Sequence, residues 1–383
     1  MANTLTSLAA DIYKAADIVG RELVGFIPSV TINSDAVQRV ALNDTVRSFF
    51  TRKPTLNTTY TPSMTIPEGD DQTVDNKTMT VGQVANVKIP WTGEDIKHVD
   101  NGSGFKTVYG DQIAQAMRAI TNSIEGFVAQ TAYQGASRAI GTAGTTPFAS
   151  DFGLVADVRK ILVDNGTPQD GDWSIVMDTT AGANLRKLST LFKANESGND
   201  TMLRQGTLLD LQGFKLRESA GTKVVTKGTG ASYTTDTAGY AVGATVITLI
   251  TGTGTVLAGD VVTFAGDTNK YVVNVGTAAA GPITLAAPGL KVAIATSATA
   301  MTIGANFTAN VGLHRAAVEL AVRAPAMPPG GDAAVDTMIV QDPRSGLVYD
   351  MRLYKGYGKQ MLDITSFYGA KAWKPDFIGT LLG

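Results

Sequence analysis

The chain has 383 residues, enough for two or three domains with their own cores, and a formal net charge of −2 with 17% charged residues. That balance offers no basic field of the kind a nucleic-acid reader needs. Cysteine is absent, which excludes disulfides, thiol nucleophiles and cysteine-based metal sites. The opening MANTLTSLAADIY has no basic segment leading into an apolar run and does not read as a secretory signal. The longest uncharged stretch, Thr237 to Gly259, is broken by glycines and reads as a strand pair rather than a membrane span.

Residues 3–24 read as an amphipathic helix, with Leu5, Leu8, Ile12, Ala16, Val19 and Leu23 on one face and Pro28 beyond its end. Asp17 and Arg21 stand one turn apart, close enough to pair. Two readings are open for the apolar face: it packs on its own domain, or it is an arm that docks on a neighbouring subunit. Residues 44–100 are of another kind. Strand-like runs at Asn57–Ile66 and Met79–Trp91 flank the acidic turn Pro67-Glu68-Gly69-Asp70-Asp71, and neither face carries enough apolar residues for a core. An isolated hairpin is marginally stable in water, so this one is expected to lie against another copy. Its basic foot (Arg47, Arg52, Lys53) and acidic tip (Glu68, Asp70, Asp71) then meet head to tail; the plain alternative is a solvated loop with scattered charge.

The organising stretch follows. Gly110–Ile140 lacks proline, and Ile113, Met117, Ile120, Ile124, Phe127 and Thr131 recur at helical spacing, with Asp111 as N-cap and Gly141 as stop. At about 1.5 Å per residue such a helix is roughly 45 Å long. A second helix is capped by Asp151 and carries Leu154, Val155, Val158, Ile161 and Leu162; the strand Trp173–Met177 and a third helix near Thr180–Phe192 come next, then a turn and strand in LRQGTLLDLQGFKLRES. This is an α+β pattern. From Thr222 to Asn306 charge nearly vanishes, and ATVITLI, GDVVTFAG, KYVVNVG, GPITLAAP, LKVAIA and TAMTIG alternate with glycine turns, the mark of a small all-β barrel or sandwich inserted into the α+β unit. The α+β pattern resumes from Asn310 and closes on long strands at Ser345–Tyr354 and from Lys359, with Tyr349, Leu353, Tyr354 and Tyr357 suited to packing against the long helix.

Chemistry is hard to find. His98 and His314 are far apart, without a partner at ligand spacing, and no phosphate-binding loop, dinucleotide fingerprint or nucleophile elbow occurs. Gly135-Ala136-Ser137-Arg138 falls within the expected helix. The acidic clusters at Glu68–Asp71 and Asp170–Asp172 do not match a twelve-residue calcium loop. No enzyme activity and no cofactor are expected.

The order of parts resembles the major capsid proteins of tailed bacteriophages, the Hong Kong 97-like fold. Three passages carry the resemblance: Gly110–Ile140, similar to the spine helix and preceded by VANVKIPWTGED; LRQGTLLDLQGFKLRES; and the closing LVYDMRLYKGYGKQMLDITSFYGAKAWKPDFIGTLL. The β segment, with TVITLITGTGTVLAGDVVTFAG, is similar to the inserted domain of coat proteins from the P-twenty-two-type short-tailed phages. The resemblance implies an N-terminal arm at 1–43, an E-loop hairpin and its base at 44–100, a spine helix of the P-domain at 101–149, and an A-domain at 150–221 and 307–344. The inserted β-domain takes 222–306, and P-domain strands and the C-terminus 345–383. It also implies pentamers and hexamers of one chain in an icosahedral shell, a scaffolding protein during assembly, a portal protein at one vertex and packaged double-stranded DNA held without sequence-specific contact. Assembly in the host cytoplasm and a place in the virion head go with it, and no membrane. Some members crosslink a lysine to an asparagine; Lys53 lies near the hairpin foot, but no partner asparagine is identified and no crosslink is expected. Deleting residues 1–24 is expected to leave a folded subunit that assembles poorly. The rival reading is a bacterial surface or adhesion protein with a β-sandwich binding module, and a hydrolase with a carbohydrate-binding module lacks an acid/base pair.

Overall fold

The computed structural model describes residues 5–22, 25–50, 56, 58–66, 68, 75–100, 105–188 and 210–383. Among them are five α-helices: α1 (Leu5–Glu22), α2 (Gly93–Asp100), α3 (Phe105–Gln134), α4 (Gly153–Asp164) and α5 (Thr179–Lys187). The fold is built on α3. Its buried side chains Ile113, Met117, Ile120, Ile124, Val128 and Ala132 form one stripe, whereas Phe127 and Thr131 are half-buried. A period of 3.6 drifts against a fixed three-four spacing, so over eight turns the stripe passes to neighbouring residues.

The helix runs from Phe105 to Gln134, not from Gly110 to Ile140. Its early stop has a tertiary cause. The Ser137 backbone N–H and hydroxyl both donate to the Ile378 carbonyl, at 3.0 and 2.7 Å. Arg138–Gly141 then becomes a strand, parallel to Ile378–Leu382. Sheet pairing with the end of the chain outcompetes helix propensity there, and Gly135–Arg138 lies beyond the helix rather than inside it.

Two sheets flank α3. The six-stranded one has the order Thr31–Val40, Val318–Pro325, Lys359–Ala372, Val348–Gly356 and Asp336–Gln341, with Gln83–Thr92 also pairing Lys359–Ala372. Its contact with α3 is partly polar: the Thr121 and Tyr349 hydroxyls are 2.9 Å apart, as are those of Ser123 and Tyr368, and Phe127 meets Tyr368 edge-on at 5.5 Å. Tyr349 and Leu353 are buried as expected, but Tyr357 is fully exposed and Tyr354 turns to Asp332. Residues 31–40, placed in the arm by sequence, are an integral strand, in parallel register with Val318–Pro325.

In the second sheet Trp173–Met177 pairs with Phe214–Glu218 and Phe307–His314; the latter pairs with Ile378–Leu382, and that strand with Arg138–Gly141. α4 and α5 cover it through Val155, Val158, Leu162 and Leu185, against Trp173, Ile175 and Phe214. Asp178 caps α5 by accepting from the Thr180 N–H at 3.0 Å, and the Asp151 carboxylate accepts from the Gly153 N–H at 2.8 Å at the start of α4.

Between Thr222 and Asn306 a separate apolar core forms from residues that include Tyr233, Ile247, Leu249, Phe264, Tyr271, Ile283 and Leu285. Five of the six expected runs contain strands, at Val246–Ile250, Val261–Phe264, Lys270–Val275, Pro282–Leu285 and Met301–Ile303. LKVAIA contributes only a bridge from Ile294 to Tyr240. The segment is not detached. Lys270 and Tyr271 pair with Ala139 and Arg138, the Gln134 amide reaches the Ala258 carbonyl at 3.4 Å, and Val261 and Val272 join the core around α3.

Candidate assembly surfaces

The expected hairpin exists with different arms. Thr45–Phe50 pairs antiparallel with Asp75–Thr80, while Gln83–Thr92 leaves to pair with Lys359–Ala372. The run read as Met79–Trp91 is thus two strands broken at Val81 and Gly82, and the described part of Asn57–Ile66 is not a strand. Thr, Tyr and Ile at 57–66 carry strand propensity, but no partner strand is beside them among the described residues. The root of the hairpin is anchored: Val40, Val46, Met79 and Val81 pack on Ala321 with Phe367 and Trp373, and Lys77 lies 5.7 Å over the Trp373 ring. Beyond it, Leu56, Tyr60, Met64 and Ile66 are 83, 91, 103 and 89% exposed. All four large apolar side chains described in these eleven residues stand in water.

The sequence-selected contact residues fall in three groups. Arg47 is exposed on the hairpin, opposite Thr78, and Glu68 is exposed. Arg52, Lys53, Asp70 and Asp71 lie outside the described residues, as do the side chains of Leu5 and Leu8. Ile12 is a correction. It is fully buried with Ala15, Ala16 and Val19 in the core around α3, so it has no surface to offer a neighbour. The helix is present, and the described members of its apolar stripe, Ile12, Ala16 and Val19, join the chain's own core around α3. The Arg118–Glu22 pair and a 3.6 Å approach of Arg344 to Asp17 add to this docking, and Arg118 holds the Glu22 carboxyl below its ordinary range. A chain lacking residues 1–24 would uncover part of α3. The outward face of α1 carries Tyr13 and Ile18 instead.

Sequence reading missed the junction around Glu125. This carboxylate is buried in the second half of α3 and accepts from the backbone N–H groups of Phe26 and Ile27, the latter at 2.9 Å, and from the Ser219 hydroxyl at 2.7 Å. It joins the segment leaving α1, the long helix and the passage into the β-rich segment. Gly25 is required there, because a Cβ would sit 1.9 Å from a Glu125 carboxylate oxygen. A lone glutamate in a helix carries no sequence signal of burial.

Histidine and acid do meet, though not as a catalytic pair. His314 Nδ1 accepts from the Ala316 N–H at 3.0 Å, so Nε2 carries the proton and donates to Asp170 at 3.0 to 3.1 Å. That bond holds the Asp170 carboxyl below its ordinary range, and His98 is exposed on α2. Among the described residues no group of three or more His, Asp or Glu is placed to hold a metal ion, and no helix is long and apolar enough to cross a membrane.

No protein-family model matches the chain, and no curated protein does. Solved structures do match. The capsid structure of the cyanophage P-SCSP1u aligns over 94% of this chain and 88% of its own, with a TM-score of 0.51 at 11% identity. A Mycobacterium phage Che8 structure aligns over 94 and 91% (TM-score 0.48, 14% identity), and a virus-like particle from Pyrococcus furiosus over 97 and 98% (0.45, 8%). The cyanophage match, spanning both sheets and the long helix, shows that this α+β chain has a bacteriophage-capsid fold.

Proposed function

We propose that the chain is the major capsid protein of a tailed bacteriophage, a structural subunit that assembles through pentamers and hexamers into an icosahedral shell around double-stranded DNA. The observation that carries this reading is the anchored hairpin with Leu56, Tyr60, Met64 and Ile66 fully in water. A lone soluble chain gains nothing from that arrangement, whereas in a shell each excursion is covered by the next copy, and many modest contacts add up by symmetry. In this reading the hairpin is the E-loop, α3 the spine helix, the six-stranded sheet the P-domain and the second sheet the A-domain. Residues 222–306 are an inserted domain of the P-twenty-two type that braces the A-domain. The outward face of α1, with Tyr13 and Ile18, meets a neighbour. A scaffolding protein directs assembly in the host cytoplasm, a portal takes one vertex, and the near-neutral charge suits a wall that encloses DNA without gripping it.

The test is negative-stain electron microscopy of the chain expressed alone and with its scaffold, beside gel filtration. Closed shells, spirals or tubes are expected. A monomer or small ring in both preparations overturns the reading.

A further inference from the structure

Two passages of the chain between the sheets run side by side. One is the helical turn Arg315–Ala317, which leads from Phe307–His314 in the second sheet to Val318–Pro325 in the six-stranded one. The other, with the helical turn Pro375–Phe377, leads from Lys359–Ala372 back to Ile378–Leu382. They are tied together, since the buried Ala317 carbonyl accepts from the Trp373 and Lys374 N–H groups at 2.9 and 3.2 Å. The Arg315 N–H donates to the Asp172 carbonyl at 3.1 Å, and the Arg315 carbonyl accepts from the Thr31 hydroxyl at 3.1 Å. At the head of the first turn stands His314, 6% exposed, with Phe377 edge-on to its ring at 5.7 Å. The imidazole caps the turn by accepting the Ala316 N–H at Nδ1, while Nε2 faces both Asp170 oxygens.

We propose that His314 is a proton-operated latch on this joint, closed when the ring is neutral and released when it is protonated. The acceptor of the cap is the ring's own proton site. A serine or asparagine cap stays an acceptor in mild acid, whereas imidazolium has two donors and no acceptor. Protonation at Nδ1 sets two N–H groups face to face in a buried place, where an unmatched donor is costly. At the other nitrogen the Asp170 carboxylate invites the proton, and among the described residues no other carboxylate bonds the ring. Of the charges on the surrounding elements, Asp172 is paired with Lys215 at 3.0 Å, and Lys374 lies 4.9 Å over the Phe377 ring. Arg315 is exposed with Arg217 near it, and Asp376 belongs to the second turn. Linkage sets the sign: release frees Nδ1 but leaves Asp170 at Nε2, so the released turn binds the proton more tightly and acid opens it. Histidine is the side chain that changes charge between about pH 5 and 8. The latch needs one folded chain and does not depend on the assembly reading.

The test is hydrogen exchange of the full chain between about pH 8 and about pH 5.5, corrected for intrinsic rate and read by mass spectrometry on peptides covering 312–320. His98, the chain's other histidine, lies on α2, outside these peptides. Protection at 315–318 is expected to fall about tenfold across that range, as one capping bond is lost. H314N supplies a cap oxygen that does not titrate, and its exchange should stay flat. D170N leaves the ring and its cap in place but withdraws the acid, so release should move to lower pH. That shift separates proton control from a loss of packing, and it decides the matter even if the asparagine cap loosens the joint at neutral pH. Flat exchange in the native chain overturns the proposal. So does an acid response that persists in H314N, or one that D170N leaves at the same pH.

Discussion

The β-rich segment 222–306 and the six-stranded sheet with α3 reach stability by different routes. The first has one apolar core and few charges, and its carboxylates serve its own turns: Asp260, almost fully buried, accepts from the backbone N–H groups of Leu257 and Gly228 at 2.7 and 3.0 Å. The second carries an ionic network. Asp350, fully buried, meets Arg352 at 2.7 Å and Arg39 at 3.3 Å, and Arg352 continues to Asp332 at 3.1 Å. A network joins strands distant in sequence, since Arg39 and Asp350 are 311 residues apart, whereas the core of 222–306 is drawn from one stretch of the chain. One region is tied into the molecule by charge, and the other mainly fills its own interior.

Breaking each route sharpens the contrast. Asp350→Ala leaves Arg39 and Arg352 partly buried without their shared acid. It should cost about 3–5 kcal/mol, read as a lower midpoint in urea, with faster amide exchange in Val318–Pro325 and Val348–Gly356. Ile283→Ala, at a wholly buried position of the separate core, should cost about 2–5 kcal/mol, with exchange rising in 222–306 and little change around α3. If both variants loosen the whole chain equally, the two regions are one cooperative unit and the contrast fails. Glu125→Gln tests the joint between them. The amide keeps the shape but offers only one acceptor oxygen to the three donors, a loss of about 1–3 kcal/mol, expected as faster exchange at 25–30 and 218–224.

What could be read in the sequence follows the same division. Trp173–Met177 and five of the six runs of 222–306 are local signals, apolar residues between turns, and contain strands where expected. The length of α3 was legible but its ends were not, because Ser137 answers to Ile378, 241 residues away. Thr31–Val40 has no clean alternation; it becomes a strand by pairing with Val318–Pro325, with a bulge between Asp35 and Arg39. His314 meets Asp170 from 144 residues away. Of the residues expected to meet a neighbour, Arg47 and Glu68, chosen by charge, are exposed, whereas Ile12, chosen from an apolar stripe, is buried, since an amphipathic stripe does not say whose core it enters.

The smallest expected effect is the response to acid, and the two regions should respond with opposite sign. In the loop leading into the six-stranded sheet Asp332 is held below its ordinary value, first by the Tyr354 hydroxyl and also by Arg352. A carboxyl depressed in the folded state contributes stability that is complete above its unfolded pKa, about 3.9, and is lost as pH falls through the lower folded value. In the β-rich segment burial pushes Asp260 up, against the pull of the Leu257 and Gly228 N–H groups. Between its unfolded and folded values the folded chain binds the extra proton, so stability rises as pH falls through that window. Amide exchange corrected for intrinsic rate should therefore show 222–306 holding or gaining protection from neutral pH down to about pH 4, and the strands around Asp332 losing it below that point. Asp260→Asn should abolish the gain and leave the loss. If the gain survives that substitution, Asp260 is not its source, and the contrast between a charge-poor core and an ionic network would need another group to carry it.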